Sequence, residues 1–370
     1  MAGIKPLLAL LPLLCSAPLW ASTFVYVSNA DSGTVSRYQL NQHSGALKWL
    51  GDTPAGKKIM PLAASPDGKH LYGALRSPPY SIVSWRVNRQ NGALDKQAVT
   101  PVDASFPFIT TDKTGRYLLA ASYDSDIVTS NRIDPQGIVT ANVTGRFHTG
   151  PHAHSVIPDA SNHSLYVGNL GADRLLQLTL SDQGGITPVG KGYVAGEKNS
   201  GARHSVMSPD NRFVYNLAEM SGTVTQYSRA ADGALKEVQR WPNAVAEKYG
   251  LQHGVQRPAG YSDPTPRIWA ADIQITPNGH FLYVTERTSS TVSGYRVDTS
   301  SGALSLIGSW RVEKQPRSIA IDAQSQWLIA SGEKSAVIGS YAIHPQSGAL
   351  QRVAEAPSGK GSNWVTLISH

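Results

Sequence analysis

From residue 23 to the end of the chain, short apolar runs alternate with turn residues, and the same order of runs keeps returning. One copy reads Ser65-Pro-Asp-Gly68, His70-Leu-Tyr-Gly-Ala-Leu75, Ser81-Ile-Val-Ser-Trp-Arg-Val87 and Asn91-Gly-Ala-Leu94. Another reads Ser208-Pro-Asp-Asn211, Phe213-Val-Tyr215, Gly222-Thr-Val-Thr225 and Asp232-Gly-Ala-Leu235. A third reads Thr276-Pro-Asn-Gly279, Phe281-Leu-Tyr-Val284, Ser290-Thr-Val-Ser293 and Ser301-Gly-Ala-Leu304. Runs this short, rich in Val, Ile and Tyr and bounded by Gly, Pro, Asn and Asp, are the pattern of strands. Pro presets φ in the connecting turn, and Gly or Asn accepts φ > 0.

Each unit therefore predicts an inner strand, a Pro-Asp-Gly type turn, two more strands, and an outer strand opened by Gly-Ala-Leu. Four strands in a period of about 45 residues is the spacing of a propeller blade. Seven copies predict an all-β, seven-bladed β-propeller with four antiparallel strands per blade, as a single domain over 22–370. The first copy, Thr23-Phe-Val-Tyr-Val-Ser-Asn29, has no strand ahead of it. Asn363-Trp-Val-Thr-Leu-Ile368 is expected to supply it, pairing the 363–368 strand beside 24–29 and closing the ring, which removes the open edges. Two stretches depart from the period. The outer strand is poorly marked over 141–150. A long insertion, 241–270, joins an outer strand to the next inner strand, carries a helical turn at 244–249, and is a candidate lid.

Composition adds compartment and partners. Lys5 followed by an apolar run at 7–14 and Trp20-Ala21-Ser22 reads as a signal peptide over 1–21, too short to span a bilayer. The single Cys15 lies within it behind Leu14, which argues against a lipid anchor. The mature chain then has no thiol chemistry, which suits a periplasmic protein without a membrane anchor. Net charge is +7, with no run of Lys and Arg dense enough for nucleic acid; it reads as a solvated basic surface, or as attraction of anionic substrates or envelope polymers. No phosphate loop, nucleophile elbow, zinc spacing or calcium loop is present, so no metal or cofactor is expected. A monomer is expected.

In a propeller the starts of inner strands and the ends of the strands they pair with meet at one mouth. The chain places there His152 and His154; Arg203 and His204 with Glu219; Asp272 with Glu286 and Arg287; Arg317 with Glu333; and Arg76, Tyr123 and Asp124. Apolar side chains would fill this space without desolvating charge. Opposite charges with a few titratable groups are what a polar ligand site needs.

Gly150-Pro-His-Ala-His-Ser155, Gly201-Ala-Arg-His204, Asn216-Leu-Ala-Glu219, Trp269-Ala-Ala-Asp-Ile273, Glu286-Arg-Thr288, Gln315-Pro-Arg317 and Gly361-Ser-Asn-Trp364 resemble the seven-bladed lactonase family. That family includes cycloisomerase-2-type 6-phosphogluconolactonases and the fungal carboxymuconate lactonising enzyme, and the resemblance covers nearly the whole mature chain. It implies a catalytic His154 with Arg203, Glu219 and Arg287. His152, His204, Asp272, Arg317, Tyr123 and Arg76 are then the candidates for binding substrate. The chain departs from the family at Ala202 and Ser362, where Pro is usual, and in its leader, since that branch is usually cytoplasmic. The expected activity is metal-independent hydrolysis of a sugar lactone resembling 6-phosphogluconolactone or gluconolactone. His154 or Glu219 would be the base, and Arg203 and Arg287 would face the oxyanion. An exported enzyme would favour an unphosphorylated lactone. Two other readings stand beside it: a muconate-type lactonising cycloisomerase, and a non-catalytic periplasmic propeller that binds a protein or glycan.

Overall fold

The structure is a computed structural model that describes residues 22–257 and 261–370; the leader-like segment 1–21 lies outside the described residues. Among them, 28 strands form seven four-stranded antiparallel sheets arranged as blades around an axis. The inner strands of blades 2 to 7 are Ile59–Ala64, Phe108–Thr111, Ala153–Pro158, Ala202–Met207, Ala270–Ile275 and Pro316–Ile321. Blade 1 takes its inner strand from the C-terminus: Ser362–Ser369 pairs antiparallel with Thr23–Asn29, setting Trp364 opposite Ser28 and Ile368 opposite Phe24. The ring closes as the alternation of residues 363–368 indicates, with one further residue in the strand at each end.

The repeated aromatic of the second strand explains why the copies pack as a ring. The hydroxyls of Tyr26, Tyr72, Tyr166, Tyr215 and Tyr283 donate to the carbonyls of Gly92, Gly137, Gly233, Gly302 and Gly348 at 2.7–3.0 Å. Each accepting glycine lies in the turn before the outer strand of the following blade, and Tyr117 of blade 3 makes the equivalent bond to the Asp182 carbonyl of blade 4 at 2.9 Å. Blade 7 is latched to blade 1 by Trp327, whose indole N–H donates to the Gln42 carbonyl. The latch needs a bare backbone: Gly92 has φ +67°, and a Cβ there would lie 2.5 Å from the Phe24 ring. Apolar clusters fill the spaces between blades, such as Tyr215, Leu217, Ile273 and Leu282 between blades 5 and 6.

Because the first and last strands share one sheet, removing residues 362–370 is expected to abolish the cooperative unfolding transition. The edge of Thr23–Asn29 would be unpaired and its fully buried residues exposed. Circular dichroism melts of the truncated chain check this; a cooperative melt near the wild-type midpoint would refute it.

Two weakly marked regions resolve as follows. The outer strand of blade 3 is Val139–His148, paired throughout but with register shifts near Asn131, which breaks its alternation. The 244–249 segment is a run of hydrogen-bonded turns, with Tyr249 N–H donating to the Val245 carbonyl, and no helix is formed there. Val245 is buried, Ile268 packs with Ala244, Ala246 and Leu251 into the cluster between blades 5 and 6, Gly254 N–H donates to the Met220 carbonyl, and Gln252 bridges to Arg267. The described part of the insertion is thus pinned to the ring. Among the described residues no helix is long and apolar enough to cross a membrane.

Candidate active site

At the entry of most inner strands the ladder slips. Register shifts occur between Ala153 and Ser155, Ala202 and His204, Ala270 and Ile273, Pro316 and Ser318, and Ile59 and Leu62. A bulge leaves an extra residue out of the pairing and re-aims its side chain. The extra residues are His154, Arg203 and Arg317 in blades 4, 5 and 7, Ala271 and Asp272 in blade 6, and Met60 and Pro61 in blade 2. In blades 4 and 7 the bulge turns His154 and Arg317 into the mouth, and in blade 5 it sets Arg203 against Glu219.

There a cavity of about 180 Å³ is lined by Arg76, Tyr123, His154, Glu219, Arg287 and Arg317 from the ring, with Arg257, Gln256 and Val255 from the insertion and Trp269 at its end. This is smaller than the roughly 300–1,000 Å³ of drug-sized sites and suits a single small ring. A more open cavity of about 520 Å³ shares Arg257, Trp269 and Arg287 and adds Lys314 and Lys334.

Glu219 is the hub. Its Oε2 accepts from Arg203 Nε at 2.7 Å, and its Oε1 pairs with Arg287 Nη2 at 2.9 Å. Arg203 is 1% exposed and does not line the cavity. It lies beneath Glu219 and also donates to the Ala271 carbonyl. Arg287 is oriented by donating to the Trp269 carbonyl at 2.9 Å. Arg317 pairs with Glu333 at 3.4 Å, and Arg76 donates to Ser105 at 3.0 Å, with Asp124 at 3.9 Å.

Three expected binding groups are held away from the cavity. His204 and Asp272 are buried below it: His204 returns to the ladder beside the Arg203 bulge, while Asp272, itself in the blade 6 bulge, is held inward by accepting the Ile319 N–H. His204 Nδ1 is 2.9 Å from Asp272 Oδ1, and Phe108 and Trp364 pack edge-on against the imidazole. His152, with φ +63°, stacks on Tyr123 at 4.1 Å and donates from Nδ1 to the Tyr123 carbonyl, so it buttresses Tyr123 from outside. Glu286 is also spent locally: it accepts from the amides of Trp269, Thr288 and Ser289 and shapes the turn that presents Arg287.

Burial and cations set the protonation states. Burial pushes the His154 imidazole well below its usual pKa, and Arg203, His204, Arg317 and Arg76 push it further, so the ring is neutral at neutral pH. Burial alone would raise the Glu219 carboxyl, but Arg287 first, then Arg203, Arg317 and Arg257, outweigh it and hold it at about 2. Burial lowers Arg203 to about 9 despite Glu219. Among the described residues no group of three His, Cys, Asp or Glu side chains is placed to hold a metal ion.

A family model described as "Lactonase, 7-bladed beta-propeller" matches residues 20–367 of the chain. The chain belongs to this lactonase family. Among its relatives are the 6-phosphogluconolactonases of Serratia proteamaculans and Sodalis glossinidius, each 34% identical over 93% of this chain and 98% of their own. The solved Pseudomonas aeruginosa periplasmic gluconolactonase, PpgL, superposes with a TM-score of 0.79 over 94% of this chain and 99% of its own, at 20% identity. This lactonase site also holds groups that the sequence did not single out. Arg257 lies flat over Trp269, 3.6 Å from the ring centre, and both line the cavity. Trp269 stood in a quoted motif, but nothing in the spacing of Arg257 within the insertion marked it as different from Lys248 or Arg267.

Proposed function

We propose that the protein hydrolyses a sugar lactone at this cavity, outside the cytoplasm. The observation that carries the reading is a neutral His154 facing the same small cavity as four arginines, one of them bonded to Glu219. Water must attack the lactone carbonyl. Of the two candidate bases, Glu219 is held as a carboxylate by two guanidinium groups and is a poor proton acceptor, whereas His154 is unprotonated and free to take the proton. Arg287, positioned by Glu219 and the Trp269 carbonyl, is the donor for the developing oxyanion. Arg203 acts through Glu219. The activities of similar proteins, 6-phosphogluconolactonase and gluconolactonase, support the same substrate class.

Positive charge exceeds negative charge around the cavity, so the substrate carries or develops negative charge there. Export through residues 1–21 makes an unphosphorylated aldonolactone the physiological substrate, and a PpgL-like address supports that reading. The test is acid release from glucono-1,5-lactone and from its 6-phosphate by the purified mature chain, after subtraction of the spontaneous rate. A rate equal to the spontaneous one for both overturns the proposal. Cell fractionation tests the compartment, and retention of the uncleaved chain in the cytoplasm would overturn that part. We also propose that the chain works as a monomer, which gel filtration checks.

Arg257 approaches from the insertion and, among the described residues, makes no ion pair; its cation stacks on Trp269. Arg257→Ala is therefore expected to raise KM about threefold to tenfold with kcat nearly unchanged, the loss of one cation-π-positioned contact. A fall in kcat with KM constant would instead place Arg257 at the reacting carbonyl.

A further inference from the structure

His204 and Asp272 lie beneath the cavity, yet they are connected to it. The Asp272 carboxylate accepts Ile273 N–H and Ile319 N–H, each at 3.0 Å, and faces His204 Nδ1 at 2.9 Å. A carboxylate engaged by two backbone amides is an acceptor, so the ring nitrogen that faces it carries the proton. This leaves a bare lone pair on His204 Nε2. That atom is buried and has no hydrogen-bonding partner among the described residues. Phe108 and Trp364, with ring centres 5.1 and 5.9 Å away, hold the plane of the imidazole.

His154 sits on the neighbouring blade with its ring centre 5.2 Å from that of His204. Its Nδ1 is likewise buried without a partner, while the residue lines the cavity. Two unmatched buried nitrogens on adjacent rings are uncommon, because buried polar atoms are normally paired. A single water between them would satisfy both.

We propose that Asp272 and His204, through one bridging water, hold the proton of His154 on Nδ1 and thereby keep its Nε2 lone pair directed at the attacking water. His204 and Asp272 are then positioning residues. The inference rests on the reading of His154 as the base. Nε2 takes one proton as the water oxygen bonds to the lactone carbon. It returns that proton to the ring oxygen when the carbon–oxygen bond opens, so no proton crosses to His204. The groups facing His154 are Arg203 and His204 of blade 5, Arg317 of blade 7, Arg76 of blade 2 and Tyr123 of blade 3. The charged groups that bear on it most are cations that oppose an imidazolium, and the carboxylate that also lines the cavity, Glu219, is already paired with Arg203 and Arg287. The acceptor chain from Asp272 is what offsets them when His154 becomes charged.

The test compares His204→Asn with His204→Gln. Asn keeps a donor near Nδ1 for Asp272 but has nothing at the Nε2 position; Gln places an amide oxygen near it. His204→Asn is expected to lower kcat about 10–100-fold, the usual loss when a group that orients a functional histidine from behind is removed. KM should stay within about twofold, and the acid limb of kcat/KM should move to lower pH, since His154 loses an acceptor that favours its charged form. His204→Gln should recover much of the rate. Independently of activity, ¹⁵N-correlated NMR of histidine-labelled protein should show His154 protonated on Nδ1 in the wild type and a tautomer mixture in His204→Asn. Wild-type kcat and pH profile in His204→Asn, or a wild-type His154 protonated on Nε2, would overturn the proposal. So would equal losses in the Asn and Gln variants with a matching drop in melting temperature, which is the mark of a merely structural role. If the wild type does not exceed the spontaneous rate, the lactonase reading fails, and the NMR result still decides the His154 tautomer.

Discussion

His154→Ala is expected to lower kcat for lactone hydrolysis by about 10²–10⁴-fold, the usual contribution of a positioned base. His154 is one of the two groups at the cavity that could accept a proton from water, and Glu219 is held by Arg203 and Arg287. The variant should still fold, with stability within about 1–2 kcal/mol of wild type, because the ring takes no part in the sheet ladder and its Nδ1 has no protein partner to strand. In the wild type, activity should rise with pH through the lowered His154 pKa and be level by neutral pH, since burial and the surrounding arginines favour the neutral ring. Steady-state kinetics against glucono-1,5-lactone over the acid range checks both statements. A variant within tenfold of wild type would remove His154 from the chemistry.

Glu219→Gln should be the most destabilising polar substitution at the mouth, by about 3–5 kcal/mol. It removes the counter-charge of two guanidinium groups whose side chains are 1% and 6% exposed. The same pairing makes stability depend on pH with a definite sign. The Glu219 carboxyl is at about 2 in the folded chain against an ordinary 4.5, so its contribution is fully present above about pH 4.5 and fades as pH falls towards 2. That shift corresponds to about 3 kcal/mol, more than half of it gone by about pH 3. Urea titrations of wild type and Glu219→Gln at pH 6 and pH 3 measure it: the gap between the two should shrink on acidification. Parallel behaviour would mean that solvent, rather than the arginines, sets the carboxyl.

Tyr26, Tyr72, Tyr215 and Tyr283 show why the architecture was legible before any coordinates. Each stands at the same place in its repeat, and its hydroxyl is accepted by the glycine of a Gly-Ala-Leu turn for Tyr26, Tyr215 and Tyr283 and by Gly137 of Gly-Ile-Val139 for Tyr72. Period-two alternation and turn chemistry are local properties, so they survive in the sequence as a pattern. The site was legible only in part. His154, Glu219, Arg287, Arg317, Arg76 and Tyr123 were expected at one mouth and meet there. His204 and Asp272 were expected beside them and are below: a bulge at Arg203 sends adjacent residues of one strand to different places, and the blade 6 bulge leaves Asp272 facing His204 and the Ile319 amide. Arg257 was passed over because its partner, Trp269, is reached only through the path of the insertion.

The chain alone determined the number of blades, the strand order within them, the C-terminal closure and the group of residues gathered at one end of the axis, since all of these follow from repeating short-range signals. The tertiary structure alone decided which of the gathered residues touch the cavity. A one-residue slip in a ladder reverses the direction of a side chain, and nothing in the local composition of Ala202-Arg-His204 records where that slip falls.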